Sequence, residues 1–303
     1  MILFRHPLAP ALLCALLWGS AFPVIKFVYA HWENLGITRT LPLIFLFAGI
    51  RFIIAGTGLL VIGKNLRNEL CQSNRRLILL FALTQTFVQY VFFYQSVAVS
   101  SGSLTALLVA TGSFWWMLFA PLILKSPWPS IRQWLGLCLG GLGVTVAVYA
   151  PGAGAGNPLL GALFMLTATA SGAIALIIFQ SLNTSMSSIN ATGLSLLLGG
   201  LALTALGSRS LPHVTQVFTT PVVIATLWLA FVSAAAFSLW NHLSTLFPVT
   251  LLSSYRFLIP LCGVLEALLF IPGESAGWGL FVGVPLVILS MIIAKRSSPS
   301  PRI

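Results

Sequence analysis

Residues 41–63 read LPLIFLFAGIRFIIAGTGLLVIG, a run of 23 residues in which Arg51 is the single charged side chain. About 20 apolar residues in an α-helix cover the roughly 30 Å hydrocarbon core of a bilayer, so this stretch predicts a membrane-spanning helix. A helix is required because lipid offers no hydrogen-bond partner to free backbone N–H and C=O groups.

Further stretches of similar length and apolar character occur on both sides of this one. Turn-forming residues separate them, for example Ser100-Ser101-Gly102, Phe247-Pro248 and Pro272-Gly273. We therefore expect an all-α polytopic membrane protein with ten transmembrane helices. The other nine predicted spans are 8–30, 77–99, 103–124, 131–150, 158–181, 189–207, 220–246, 249–271 and 277–294.

The composition of the whole chain agrees with a membrane location. Hydrophobic residues make up 58% of the chain and charged residues only 6%, whereas about a quarter of the residues are charged in a typical soluble domain. The net charge of +11 does not indicate nucleic acid as a partner, because the basic residues flank the spans and form no continuous stripe. The four cysteines show no metal-ligand spacing. We expect membrane lipid and a small-molecule substrate as partners, with no metal and no cofactor.

Lysine and arginine residues outside the spans are distributed unevenly between the two sides of the membrane. With ten spans, Arg39 and Arg209 lie on one side and ten basic residues lie on the side of both termini. The positive-inside rule then places both termini in the cytoplasm of a multi-pass inner-membrane protein. The ten are Arg5, Lys64, Arg67, Arg75, Arg76, Lys125, Arg132, Lys295, Arg296 and Arg302.

The two halves of the chain resemble each other at an offset near 146 residues. Trp134 followed by Gly136-x-x-x-Gly140 corresponds to Trp278 followed by Gly279-x-x-x-Gly283. Five helices in each half would insert the second copy upside down, which predicts an inverted repeat with a site at the midplane. We assign one repeat to residues 1–150 and one, with a short basic cytoplasmic tail, to residues 151–303. The glycine pairs suit either packing inside one protomer or a homodimer, so both a monomer and a homodimer stay open.

Several of these segments also resemble one family, the EamA-type members of the drug/metabolite transporter superfamily. The similar segments are Leu17–Lys26 (LWGSAFPVIK), Ala48–Phe52 (AGIRF), Tyr255–Val264 (YRFLIPLCGV) and Pro272-Gly273-Glu274. The first half departs from the pattern, because Ser126 stands at the repeat equivalent of Glu274 and Gly112 at that of Pro260. The resemblance implies a ten-helix secondary carrier that exports or exchanges amino acids, related metabolites or drugs.

Charged side chains inside the spans are candidates for function, because a charge facing lipid costs several kcal/mol. Arg256 is the strongest candidate for binding an anionic group of the substrate. Arg51 is as consistent with a packing pair as with ligand contact. Lys26 and Glu266 lie near the ends of their spans, where they could extend to the interface or act in gating or coupling.

Polar and aromatic side chains mark the remaining candidates. Gln85 and Gln89 share one helical face and could form a hydrogen-bonding wall or join helices. His242 and Glu266 are the titratable groups suited to proton coupling within the spans. Pro23, Pro121 and Pro260 are expected to interrupt their helices, as gating hinges or as plain kinks. The other candidate substrate-binding residues are Trp18, Ser20, Tyr90, Trp240 and Asn241.

Together these features favour a secondary transporter for small metabolites that bear a carboxylate, working by alternating access as an exporter or exchanger. A drug exporter for cationic or amphipathic compounds is the alternative. A membrane-embedded enzyme is disfavoured because the sequence shows no catalytic motif such as HExxH or GxSxG. A scaffold is disfavoured because the loops are short.

Overall fold

The computed structural model describes residues 7–125, 128–149, 156–247, 252, 255–256, 258–271 and 277–295. Within these ranges the regular elements are all helical, which confirms the all-α class. The expected basic tail, Ser126, Glu274 and the start of the ninth predicted span lie outside the described residues. The α-helices are α1 Leu8–Asn34, α2 Leu41–Ile62, α3 Leu66–Gln72, α4 Arg75–Ala82, α5 Gln89–Val99, α6 Gly102–Leu108, α7 Thr111–Leu124, α8 Ile131–Tyr149, α9 Pro158–Leu182, α10 Ser188–Leu206, α11 Val214–Val217, α12 Thr220–Leu246, α13 Leu258–Phe270 and α14 Trp278–Lys295.

Seven helical segments of the described chain are long and apolar enough to cross a membrane. They correspond to predicted spans one to four and six to eight. The other three predicted spans coincide with α8, α13 and α14. That all ten cross the bilayer, and that the halves are inverted, stays a prediction. The seven segments are Leu8–Asn34, Leu41–Ile62, Arg75–Val99, Gly102–Leu124, Pro158–Leu182, Ser188–Leu206 and Thr220–Leu246.

The third span contains a π-helical segment, Leu83–Val88, between α4 and α5. A π-turn widens the helix and leaves carbonyl groups without their usual partners. The hydroxyl of Ser171, in α9, donates to the carbonyl of Thr84 at 2.7 Å and compensates for part of this loss. The π-segment therefore connects the third span to α9 through a side chain.

Helices α1 and α7 continue through Pro23 and Pro121, and the role of these prolines as hinges or kinks stays a prediction. Neighbouring helices and local adjustments can satisfy the freed carbonyls in a membrane bundle. Pro260 is the third residue of α13, where its missing N–H would have no partner in the helix in any case. The fourth span divides instead at Val109 and Ala110, where i→i+3 hydrogen bonds replace regular α-helical ones.

Glycines bring α2 and α10 into backbone contact. A Cβ added to Gly56 would lie 2.7 Å from the carbonyl oxygen of Gly193, and one added to Gly200 would lie 2.8 Å from the amide nitrogen of Ile53. Such distances leave no room for a side chain, so the two helices pack as closely as their backbones allow.

Helices α8 and α14 form a second close pair. A Cβ on Gly140, in the glycine motif of α8, would lie 3.0 Å from the hydroxyl of Ser290 in α14. The face of α8 that carries Gly140 thus packs inside the protomer.

Candidate functional site

A cavity lies among the helices, with an empty volume of about 850 Å³. This volume includes open solvent, so the space enclosed by the walls themselves is smaller. Its walls come from α1, α2, the π-segment, α5, α9, α12, α13, and Val109 between α6 and α7. The lining residues are Trp18, Ala21, Phe22, Arg51, Gln85, Gln89, Tyr90, Phe93, Val109, Met165, Ala168, Thr169, Gly172, Leu176, Val232, Ser233, Phe237, Trp240, Asn241, Arg256 and Ile259.

Seven of the eight candidate substrate-binding residues line this one cavity although they come from distant parts of the chain: Trp18, Gln85, Gln89, Tyr90, Trp240, Asn241 and Arg256. The eighth, Ser20, is not among the lining residues. Its hydroxyl donates to the carbonyl of Leu17 at 2.8 Å and lies 3.1 Å from Nε1 of Trp228, which donates to it. Ser20 therefore joins α1 to α12 outside the cavity.

Arg256 lies just before α13, and its guanidinium packs against Gly112 of α7. A Cβ at position 112 would be 2.9 Å from Nη2 of Arg256, so glycine leaves the space that the guanidinium occupies. Nη1 of Arg256 is buried and has no hydrogen-bond partner among the residues that the structure describes. Because Arg256 lines the cavity, its guanidinium is a candidate group for binding a ligand there.

Arg51 is a second guanidinium in the cavity wall, and only 2% of its surface is exposed. Its Cζ lies 4.3 Å from the ring centroid of Phe52, 5.2 Å from that of Tyr90 and 5.4 Å from that of Tyr94. Within the described ranges, Nε and Nη1 of Arg51 are buried without a hydrogen-bond partner. The structure thus places Arg51 at the cavity in addition to packing it against aromatic rings.

A network of amides and hydroxyls forms one polar wall of the cavity. Nδ2 of Asn241 donates to Oε1 of Gln85 at 3.1 Å and to Oγ1 of Thr192 at 2.9 Å. Nε2 of Gln85 donates to Oγ of Ser195 at 3.1 Å, and that oxygen lies 2.9 Å from Oγ1 of Thr86. Oδ1 of Asn241 is buried and accepts no hydrogen bond from the described residues. It can accept a hydrogen bond from a ligand.

Gln89 lies one turn beyond Gln85, against α9. A Cβ on Gly172 would lie 2.6 Å from Oε1 of Gln89. As with Gly112 and Arg256, a glycine on the facing helix makes room for the end of a polar side chain.

Aromatic rings form most of the apolar wall. The ring centroid of Trp18 is 5.3 Å from that of Phe237 and 5.7 Å from that of Trp240. The rings of Tyr90 and Phe93 are 5.2 Å apart. A wall of this kind suits the apolar or unsaturated body of a ligand.

The five candidate gating or coupling residues are not among the lining residues. Nζ of Lys26 donates to the carbonyl of Ser100 at 2.6 Å, which joins α1 to the end of α5. Glu266 is half-buried against α1, where a Cβ on Gly19 would lie 2.7 Å from its Oε1. His242 is exposed on α12. Pro23 and Pro260 are buried within α1 and α13.

None of the cavity residues of α9, and few of the apolar lining residues, were predicted from the sequence. Thr169 of α9 lines the cavity, and its hydroxyl lies 2.8 Å from that of Thr111. The run Ala168-Thr169-Ala170-Ser171-Gly172 combines small and polar residues, which is a signal for a tightly packed polar face in a membrane helix. No comparable sequence signal marked the apolar lining residues Phe22, Phe93, Phe237 and Met165.

No group of three or more His, Cys, Asp or Glu side chains in the described part of the chain is placed to hold a metal ion.

Comparison with known proteins gives a matching family and a solved structure of similar fold. Residues 8–149 match the family model described as the EamA-like transporter family. One solved crystal structure is that of a protein with 15% sequence identity to the chain. It covers 94% of this chain and 97% of its own length with a TM-score of 0.60, so it shares the fold over nearly the whole chain. No curated protein sequence matched the chain.

Proposed function

From the match of residues 8–149 to the EamA-like transporter family, we propose that the chain is a member of this family, within the drug/metabolite transporter superfamily, and that it has a transport function. The protein is a secondary transporter for small metabolites that bear a carboxylate, such as amino acids or related compounds. It exports or exchanges them across the inner membrane, with both termini in the cytoplasm.

The observation that carries the substrate class is the buried N–H group of Arg256 in the cavity wall. Removing an ion from water costs several kcal/mol, and a carboxylate with charge-assisted hydrogen bonds offsets that cost. None of the lining residues within the described ranges is acidic, so the cavity presents no opposite charge to a cationic ligand. This favours the carboxylate class over the alternative, an exporter of cationic drugs.

The neutral polar wall supports amino acids within that class. Oδ1 of Asn241 offers a buried acceptor, and a substrate ammonium or amide group could donate to it. The network through Gln85 holds the Asn241 side chain in place. A carboxylate on Arg256 and a donor on Asn241 would together orient the ligand between the aromatic walls.

Alternating access between two inverted halves is supported by how the helices pair. Each predicted span can be exchanged with its counterpart in the other half, and the contacts between helices can then be compared. The contact between α2 and α10 stays the same under this exchange, and so does the contact between α8 and α14. The contact of α1 with α13 maps onto that of α9 with α7, and the contact of α12 with α1 maps onto that of α5 with α9. The contact of α12 with α2 maps onto that of the π-segment with α10.

The pairing of the helices also supports roles for the candidate gating residues. Lys26 joins α1 to the end of α5 and would have to exchange its bond to Ser100 if those helices separate. Glu266 lies between α13 and α1, so it is placed to sense their separation. Pro23 and Pro260 lie in the same two helices. His242 is exposed on α12, away from the cavity wall, which makes Glu266 the better candidate for coupling.

The test is ligand-dependent thermal stabilisation of the purified protein against amino acids, organic acids, nucleosides, sugars and cationic drugs, followed by flux measurements in vesicles. Binding to the native state raises stability with the ratio of ligand concentration to Kd. We expect carboxylates to stabilise the wild type and to be transported, and Arg256→Gln to abolish both effects. Arg67→Gln, at an exposed position of α3, is the matched control. Stabilisation by cations alone would instead support the drug exporter.

A further inference from the structure

Building on the proposed function, we propose that Arg51 forms a second anion subsite and that the transported compound is a dianion. Arg51 of α2 and Arg256 before α13 line the same cavity, and both keep buried N–H groups without a partner in the described chain. The ligand would place negative charge at both guanidinium groups and an apolar, flat body between the aromatic rings.

The aromatic rings around Arg51 do not compensate its burial. A desolvated cation–π contact contributes less than the effective cost of burying an ion. Each buried polar group without a partner adds a further cost. Arg51 is only 2% exposed, and two such groups, Nε and Nη1, have no partner in the described structure. The side chains of Tyr90 and Tyr94 interact with this guanidinium, but they leave these two donors unpartnered.

The carboxylates of the described chain are engaged elsewhere. Oε2 of Glu69 accepts hydrogen bonds from the backbone and hydroxyl of Ser187 and from Nδ2 of Asn190. Glu33 is exposed at the end of α1, and Glu266 lies against Gly19. None of these three lines the cavity. Two positive charges in the described lining thus face no protein anion there, which is the charge pattern that a dianion complements.

The experiment compares ligands that share one ring. Benzoate carries one carboxylate, terephthalate carries two, and phenyl phosphate carries both charges on one group. Kd is measured by calorimetry for each ligand with the wild type, Arg51→Gln and Arg256→Gln, and benzamide serves as the uncharged control. Arg51→Lys, which keeps the charge, accompanies Arg51→Gln in case the glutamine variant does not fold.

We expect at least one dianion to bind the wild type about tenfold or more tightly than benzoate, since a hydrogen bond to a charged group contributes about 1.5–3 kcal/mol. Arg51→Gln should remove this preference, so that benzoate and the dianions bind the variant with similar Kd. If terephthalate binds most tightly, the two arginines bind separate anionic groups of the ligand. If phenyl phosphate binds most tightly, both arginines bind the same anionic group.

Two results would overturn the inference in different ways. If benzoate binds as tightly as both dianions and depends on Arg256 alone, the second subsite is refuted while the carboxylate transporter stands. If no anion binds better than benzamide, the proposed function itself fails. The wild-type comparison decides the matter even if no Arg51 variant folds.

Discussion

At the scale of single residues, the cavity depends on small side chains that face large polar ones. Gly112 leaves the space that Arg256 fills, and Gly172 does the same for Gln89. The absence of a side chain is therefore as much a part of the candidate site as the guanidinium and the amide are.

Gly112→Ala should weaken carboxylate binding about tenfold by displacing a charged hydrogen-bond donor. The added Cβ would meet the flexible end of Arg256, so the guanidinium should move and the helix should not. Alanine also favours helix over glycine by about 0.5–1 kcal/mol, so Tm should not fall. Titration calorimetry and thermal unfolding measure the two quantities.

The control for Gly112→Ala is Gly58→Ala in α2, where a Cβ would meet no atom within 4 Å. A lower Tm with unchanged affinity in Gly112→Ala would show that Gly112 serves packing and not the position of Arg256.

The residues predicted well from the sequence are those that are costly in a bilayer. Arg256, Gln85 and Asn241 stood out because polar groups at membrane depth need a reason to be there, and all three line the cavity. Phe237 and Met165 could not be distinguished from lipid-facing residues, because apolar side chains suit a cavity wall and a lipid surface equally well. Ser20 was expected in the cavity but joins two helices elsewhere, since hydroxyls at membrane depth also serve helix contacts.

At the scale of elements, the π-segment Leu83–Val88 organises the polar wall. It places Gln85 and Thr86 toward Ser195 of α10, and Gln85 in turn contacts Asn241 of α12. Three spans thus meet in one hydrogen-bond network beside the cavity.

Asn241→Leu should lower stability by about 0.6 to 1.7 kcal/mol, which are the average and the largest values found for hydrogen bonds between membrane helices. The substitution leaves Oε1 of Gln85 and Oγ1 of Thr192 without their donor. The free energy of unfolding, measured in lipid nanodiscs, tests this. Ser238→Ala is the control on the same helix, because the hydroxyl of Ser238 bonds to carbonyls of its own helix, those of Ala234 and Ala235. Equal stability of the Asn241 variant and this control would argue against a network that joins the spans.

Element positions were more predictable than element details. Hydropathy and length placed a helix at every predicted span in the described chain. The π-segment has no signature in residues 83–88, because it depends on contacts with α9 and α10 that are distant in sequence. Whether a proline ends its helix likewise depends on contacts distant in sequence, since neighbouring helices can satisfy the freed carbonyl.

At the scale of the whole molecule, the helix contacts of the described chain exchange between the two predicted halves, and with ten predicted spans most basic residues fall on one side of the membrane. The two observations are independent, since one concerns packing and the other charge. Both follow from an inverted duplication with cytoplasmic termini, which the chain's own cysteines can test.

Cys71 is exposed on α3, in the loop assigned to the cytoplasm. A variant that keeps only this cysteine should react with a membrane-impermeant maleimide in inverted vesicles and not in spheroplasts. A cysteine-free variant carrying Arg209→Cys should show the opposite pattern. Labelling of both from the same side would contradict the assigned topology.

The backbone contact between α2 and α10 has a consequence for following any such transport cycle by spectroscopy. Helices that touch at Gly56 and Gly193, and again at Gly200, cannot slide past or away from each other without opening voids along the whole seam. This pair is therefore the natural fixed reference frame for spin-label or fluorescence distances, and labels on α1 and α13 measured against it would report the moving parts.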